Sequence, residues 1–370
     1  MMIIMEDEGI KDIAHQFQID GELIEARPHG SGHINDTFLG WYKTRHGPKR
    51  FVHQRINHNV FKQPEKLMEN IERVTAYARQ RIIEKGGDPE RETLTLVPAR
   101  DGKSFYRTAE GEYWRTYVFI DGARTYEIVE DLRHVYSAAK AFGNFQRLLD
   151  SLPGERLHET IPDFHHTHKR FEAFKQAVEK DAANRAKTVR SEIEFYLKRE
   201  AIASLAIDRL KNGQLPERIT HNDTKLNNVL IDNLNGDGVC VIDLDTMMPG
   251  SALYDFGDLV RMGTATAAED EVDLSRVGVD LNMFNWLTRG YLDATRDFLT
   301  AQEGDLLVFA GQLITFEQGI RFLADYLNGD IYYKIHRPDH NLDRTRTQLK
   351  MLQEMEAKQD EMEAIIRRCR

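Results

Sequence analysis

The sequence predicts an α+β protein in two lobes: a small β-rich part over residues 1–119 and a larger, mostly helical part over 120–370 that carries one embedded β-hairpin. Three observations predict it. Period-two apolar alternation is concentrated in the first 120 residues, and helical periodicity takes over after Asp131. Between two helical stretches lies "NVLIDNLNGDGVCVIDLD", two strand-like runs around a segment rich in turn residues. A chain of 370 residues is also long for a single core.

In chain order, "RPHGSGHINDTFLGWYKT" has a Gly/Ser/Asn-rich centre followed by aromatics, which predicts two strands joined by a loop. "RFVHQRI" alternates as a third strand. Pro64 then opens a helix, "PEKLMENIERVTAYARQR", with Pro at the favoured first position. Its apolar stripe runs through Leu67, Met68, Ile71, Val74, Thr75 and Ala78. "TLTLVPA", "SFYRT" and "EYWRTYVFI" read as further strands. Helices are expected over "HVYSAAKAFGNFQRLLDSL" and "RSEIEFYLKREAIASLAIDRL", and again from Leu281 to Arg370. The amphipathic tail "LKMLQEMEAKQDEMEAIIRR" should pack back on the helical part.

The bulk numbers restrict the function. A net charge of −10 argues against a nucleic-acid partner, because phosphate backbones need a basic footprint. Two cysteines, Cys240 and Cys369, make no disulfide framework and fit a reducing compartment. "MMIIMEDEGI" lacks a basic n-region, and no run approaches a membrane span, so a cytoplasmic protein without a membrane partner is expected. The expected association state is a monomer or a weak homodimer.

The hairpin region carries the chemistry. With the turn centred between Asn235 and Gly236, Asn228 would face Asp243 across the strands, their Cβ atoms about 4.5–5.5 Å apart. An amide oxygen and a carboxylate at that separation suit a shared Mg²⁺, which prefers oxygen ligands. Asp223, five residues before Asn228, could meet a substrate hydroxyl. The pattern H-x-D-x-x-x-x-N followed by a metal-binding Asp is what phosphoryl transfer needs. Asp245 is the rival ligand, in strand phase with Asp243, and is assigned a secondary role. "DLD" also resembles the D-x-D of nucleotide-sugar transferases, but that reading leaves Asp223 and Asn228 without a task.

Here a family resemblance enters. "HNDTKLNNVLID", "VIDLDTMMPG" and "YDFGDLVR" resemble the aminoglycoside phosphotransferase-like kinases, which share the bilobal protein-kinase-like fold. "GSGHINDTF", "LMENIERVTAY", "WRTYVFIDGA" and "GIRFLADYLNGDIYYKIHRPDHNLDRTRTQ" are more closely similar to N-acetylhexosamine 1-kinases. The resemblance implies a nucleotide-binding lobe over 1–119, a catalytic and acceptor-binding lobe over 120–370, and ATP with Mg²⁺ as cofactors. It implies Asp223 as catalytic base, Asn228 and Asp243 as metal-holding residues, and Asp255 as an anchor of the catalytic loop, with His221 bracing it.

On the nucleotide side, Gly30, Ser31 and Gly32 form the expected phosphate loop. The Lys usual on a kinase third strand is missing. Arg55, or Gln54 as the inward residue, takes its place, with Glu72 preferred over Glu69 as the helix partner. His33, Arg321 and Tyr332 are the implied sugar contacts beside Asp223, and Trp286 is a further stacking candidate. Arg321 also lies four residues after Glu317, a spacing that suits an ion pair. His165, His166 and His168 are read as a solvated helix start rather than a metal site.

The resulting expectation is ATP-dependent phosphorylation of the anomeric hydroxyl of free N-acetylhexosamines. The alternatives are a kinase for another small hydroxyl acceptor (an aminoglycoside, choline or homoserine) and an inactive nucleotide-binding module.

Overall fold

The computed structural model describes residues 7–30, 34–126 and 131–370, with side chains from residue 9 onward. It confirms an α+β protein. Its contacts divide the chain into two compact units: Met1–Ala123 with Ser151–Pro162 and Val239–Met248, and Arg124–Asp150 with Asp163–Gly238 and Pro249–Arg370.

The first unit is built on an antiparallel sheet. After helix α1 (Asp7–Ala14) come β1 (Gly21–Pro28), β2 (Asp36–Thr44) and β3 (Gly47–Ile56), then helix α2 (Pro64–Glu84), β4 (Tyr106–Arg107) and β5 (Tyr113–Val118). The strand order is β1-β2-β3-β5-β4. Register places Asp36 opposite Arg55, and on the next strand Gln54 opposite Arg115. Ile10, Ile13 and Phe17 pack with Phe38, Phe51 and Trp114 into its core. Pro64 does open α2, whose predicted stripe is buried along its length.

"TLTLVPA" is not a strand. It makes single bridges, Leu96 to Tyr117 and Ala99 to Phe17, because Pro98 has no N–H to extend a ladder. Of "SFYRT", only Tyr106–Arg107 pairs as β4.

The second unit is mainly helical. After β6 (Ala123–Arg124) come α3 (Leu132–Leu149), α4 (Thr167–Lys180), α5 (Arg190–Leu197) and α6 (Glu200–Lys211). The single helix expected over 190–210 is therefore two, broken at Lys198 and Arg199. Arg199 turns aside to bond both carboxylate oxygens of Glu356, each at 2.7 Å. The short strands β7 (Arg218–Thr220), β8 (Val229–Asp232), β9 (Gly238–Val241) and β10 (Met248–Gly250) follow in the chain, β9 running into the Val239–Met248 segment counted with the first unit. Helices α7 (Ala252–Gly263), α8 (Leu281–Thr295), α9 (Ala301–Asp305), α10 (Leu307–Asn328), α11 (His340–Ala357) and α12 (Gln359–Cys369) complete the chain. Helix α10 is the centre: Phe316, Ile320 and Leu323 pack with Phe171, Phe174 and Tyr196, all essentially inaccessible. The tail packs back as expected, burying Met351, Leu352, Met355 and Met362.

The expected register, Asn228 facing Asp243, does not form. Asn228 ends a single 3-10 turn before β8, and Asp243 lies beyond β9, at φ 58°. The cause is Asp232. Its carboxylate accepts the Leu234 and Asn235 N–H groups, so the turn starts earlier and Asp232 N–H donates to the Asp237 carbonyl at 2.8 Å.

Candidate active site

The loop carrying Asp223 is held from behind by helix α7. Asp255, fully buried, accepts the backbone N–H of His221 at 3.0 Å and of Asn222 at 2.7 Å, and the amide of Gln146 at 2.5 Å. One turn on, Asp258 accepts the Thr224 N–H at 2.9 Å and is itself paired with Arg261 at 2.8 Å. Asp223 sits between these clamped residues with its side chain 24% exposed. Burial raises the Asp223 carboxyl, but the Lys225 ammonium at 2.9 Å outweighs it, and the group stays below the ordinary aspartate value. Asp255 shows the opposite outcome. Desolvation dominates its donors and pushes its carboxyl up.

Asn228 donates its amide nitrogen to the Asp223 carbonyl at 2.9 Å and, more weakly, to the Asp223 carboxylate at 3.3 Å. That orients the amide and leaves its oxygen as the atom it can offer to a cation. His221 is buried against Phe142, ring centroids 5.3 Å apart.

His165 is not part of a solvated helix start. It is buried, bonded to Glu317 at 2.8 Å and to the Asn222 carbonyl at 3.2 Å, so it braces the residue before Asp223. His166, in contrast, caps α4. Among the described residues, no group of three or more His, Cys, Asp or Glu is placed to hold a metal ion.

Glu317 is thereby occupied, with Thr167 as a second donor at 2.6 Å, and Arg321, four residues on, meets it through charge rather than through a hydrogen bond. Arg321 instead bonds the Gln318 amide at 3.2 Å and lies near the rings of Phe164 and Tyr333, at 5.6 and 5.7 Å. Tyr333 neighbours Tyr332, which is 68% exposed. Asp325, a residue the sequence did not single out, fixes this loop. It accepts the N–H groups of Ile331, Tyr332 and Tyr333 at 2.8–3.0 Å. Trp286 lies elsewhere in this unit, against Tyr136 and Arg289.

In the other unit, Gly30 has φ +82°, a conformation only glycine adopts without strain. Ser31, Gly32 and His33 lie outside the described residues. Arg55 is engaged by two carboxylates, Asp36 at 2.9 Å and Glu112 at 2.5 Å. Glu72 is exposed on α2 and does not meet it; Glu69 bonds His158 at 2.9 Å. Asn70 is a buried polar residue of α2 and donates to the Met247 carbonyl at 3.1 Å. The inward cation of this sheet is Arg115 on β5, 1% exposed, bonded to Gln54 at 3.0 Å and ion-paired with Asp245. Asp243 and Asp245 do not share a phase, because the chain leaves the strand at Val241. Asp243 is exposed and Asp245 buried.

The exposed acid of the D-x-D segment is thus Asp243, and the loop acid at the head of H-x-D-x-x-x-x-N is Asp223. Known proteins share this architecture. An aminoglycoside phosphotransferase from Alicyclobacillus acidocaldarius matches over 96% of both chains with a TM-score of 0.61 at 12% identity. Spectinomycin phosphotransferase APH(9)-Ia, solved with ADP and spectinomycin, matches over 95% of this chain and 99% of its own, with a TM-score of 0.57 at 12% identity. A choline kinase from Cryptosporidium parvum matches over 97% of both, with a TM-score of 0.55 at 14% identity. At such identities the likeness shows the protein-kinase-like fold. The sequence model of a phosphotransferase enzyme family matches residues 25–289, most of the chain and all of the Asp223, Asn228, Asp243 and Asp255 segments. The chain belongs to that phosphotransferase enzyme family, whose members are kinases of small hydroxyl acceptors.

Proposed function

We propose that this protein transfers the γ-phosphoryl group of ATP to the anomeric hydroxyl of a free N-acetylhexosamine, GlcNAc or GalNAc. The observation that carries the acceptor class is the surface around Arg321. A guanidinium flanked by the rings of Phe164 and Tyr333, with Gln318 beside it, offers apolar faces, an amide and a fixed positive charge. A neutral sugar with an acetamido oxygen suits that set, whereas a cationic acceptor is repelled by it. The surface is joined to the catalytic loop through Glu317, one turn before Arg321, then His165 and Asn222. The sequence similarity to N-acetylhexosamine 1-kinases supports the same acceptor. Tyr332 and His33 complete the proposed sugar contacts.

In this reading Asp223, ionised throughout the neutral range, orients the anomeric hydroxyl and accepts its proton as the phosphorus–oxygen bond forms and ADP leaves. An anomeric hydroxyl is more acidic than an ordinary alcohol, so a carboxylate below its usual pKa suffices. Asn228 and Asp243 are the proposed holders of Mg²⁺. Both are hard oxygen donors, the exposed carboxylate of one and the oriented amide oxygen of the other, and so fit that ion. Bound Mg²⁺ would neutralise charge on the nucleotide phosphates. The Gly30–Gly32 loop is proposed to cradle those phosphates. Arg55, near the end of the central strand β3, is kept as a nucleotide-side cation, and Glu72 as an exposed residue of the same unit.

The test is ADP release with Mg²⁺-ATP over GlcNAc, GalNAc, unacetylated hexoses, kanamycin, choline and homoserine, with Asp223→Asn as control. Turnover confined to N-acetylhexosamines and abolished in Asp223→Asn is expected. Turnover with a cationic acceptor alone would discard the sugar and keep the kinase. Nucleotide binding with no acceptor turned over would leave an inactive module.

A further inference from the structure

The nucleotide-side unit contains a buried charged network that the sequence reading did not predict. Arg115 donates to Asp245 through one guanidinium nitrogen and to Gln54 Oε1 at 3.0 Å through another, and Gln54 donates onward to Thr37 Oγ1 at 3.0 Å. The second oxygen of Asp245 accepts from Asn35 Nδ2 at 2.6 Å, and its backbone carbonyl accepts from Thr160 Oγ1 at 3.1 Å. Asn35 in turn accepts the Asn57 N–H at 3.0 Å, and Asn57 donates back to the Ile34 carbonyl at 3.1 Å.

This is a poor arrangement for stability alone. Desolvating two charges costs several kcal/mol per ion, and a hydrophobic pair of the same volume is often as stable. Its effect is geometric. Asp245 is tied at three points, and Leu244, Met247 and Met248 around it are buried. Met247 is tied again by Asn70. Asp243 is the exposed residue of this fastened turn, in a left-handed conformation. Asn35 and Thr37 flank the start of β2, immediately after the loop that begins at Gly30. The network therefore connects the exit of that loop to the turn that presents Asp243, across three strands.

We infer that Arg115 and Asp245 are a positioning pair which fixes the turn presenting Asp243 to the start of β2, a task that would otherwise fall to a third-strand cation such as Arg55. The inference rests on the proposed reading of Asp243 as a Mg²⁺ holder. Asp245 is then a support of the metal-holding acid and not a ligand itself. Outer supports of this kind typically change metal affinity 10–100-fold when removed.

The experiment is calorimetric ATP binding with and without Mg²⁺, on full-length protein, alongside thermal unfolding and ADP release. Wild type should bind ATP more tightly with Mg²⁺, and Asp243→Asn should lose that gain. Arg115→Met alone strands a buried carboxylate, so the informative variant is Arg115→Met with Asp245→Leu. It should unfold near the wild-type temperature, yet lose about 10–100-fold of the Mg²⁺-dependent gain. Arg115→Lys should recover part of it, and acceptor KM should stay within about twofold. If Asp243→Asn loses the gain while the double variant keeps both the gain and kcat, the pair is structural only and the inference is overturned. If Asp243→Asn keeps the gain, the reading of Asp243 fails and takes the inference with it. An unfolded double variant also overturns it, by making the pair a stability element.

Discussion

The buried acid behind the catalytic loop gives the sharpest prediction, through Asp255→Asn. One carboxylate oxygen accepts His221 N–H and the Gln146 amide, and the other accepts Asn222 N–H. An asparagine keeps one acceptor and puts a donor in place of the other. Gln146 cannot simply turn over to compensate, because its oxygen already accepts the Tyr291 hydroxyl at 2.6 Å. The substitution therefore removes one hydrogen bond to a charged acceptor, about 1.5–3 kcal/mol, and orphans one buried N–H, about 1–3 kcal/mol. Against this stands the desolvation that already pushes the Asp255 carboxyl up, a cost the neutral amide does not carry. The net loss should fall near the lower end, about 2–3 kcal/mol, a large share of an ordinary 5–15 kcal/mol.

Activity should suffer beyond stability, because the displaced N–H groups belong to the two residues before Asp223. A shift of about 1 Å in a catalytic group costs on the order of 10²-fold. Urea unfolding at constant m gives the first quantity, and ADP release at a temperature where the variant is fully folded gives the second. A stability loss below about 1 kcal/mol with unchanged kcat would refute the claim that Asp255 positions this loop.

Three further outcomes follow from the same unit. Lys225→Met removes the cation that holds the Asp223 carboxyl down, so the acid limb of kcat/KM should move to higher pH. A depressed Asp223 contributes stability that is present above its unfolded value and lost as pH falls through the folded one, so this contribution should also shrink; an unmoved limb counts against Asp223 as the titrating base. His165→Phe leaves buried Glu317 with Thr167 as its one hydrogen-bond donor and should cost about 1–3 kcal/mol; adding Glu317→Leu should restore stability but not kcat, and recovery of both would make His165 a packing residue. For Gly257→Ala on α7, helix propensity favours Ala by about 1 kcal/mol. A Cβ there would lie 2.3 Å from the Ala310 carbonyl of α10, so net destabilisation is expected by thermal unfolding, and a rise in Tm would contradict that packing.

What the sequence made legible was local. H-x-D-x-x-x-x-N is contiguous, so Asp223 and Asn228 could be placed on one loop before any contact was known, while the family resemblance put Asp255 behind it. The stripe of α2 was legible for the same reason, since its period is set within one helix. The misreadings share one feature, which is that a distant partner decided the matter. His165 resembled its solvated neighbours His166 and His168, and what buries it is Glu317, 152 residues away. Glu317 suits an i,i+4 ion pair with Arg321, yet its hydrogen bonds go to a buried imidazole and a hydroxyl, and Arg321 acts on it through charge. Asp245 was assigned the phase of Asp243 on the assumption that the strand continued.

The missing strand lysine shows why such errors fall at charged residues. Third-strand alternation identified Arg55 and Gln54 as the two candidates for the inward position, and their partners separate them. Arg55 meets Asp36 on β2 and Glu112 just before β5, while Gln54 faces across to Arg115. Arg115 is held by Asp245, 130 residues further on, and Asp245 by Asn35, 210 residues before it. An apolar residue needs only a buried face, which periodicity reveals. A buried charge needs a particular opposite charge with its remaining lone pairs or protons satisfied. That requirement joins segments with no common period, so the supports of a charged site become visible only once the chain is folded.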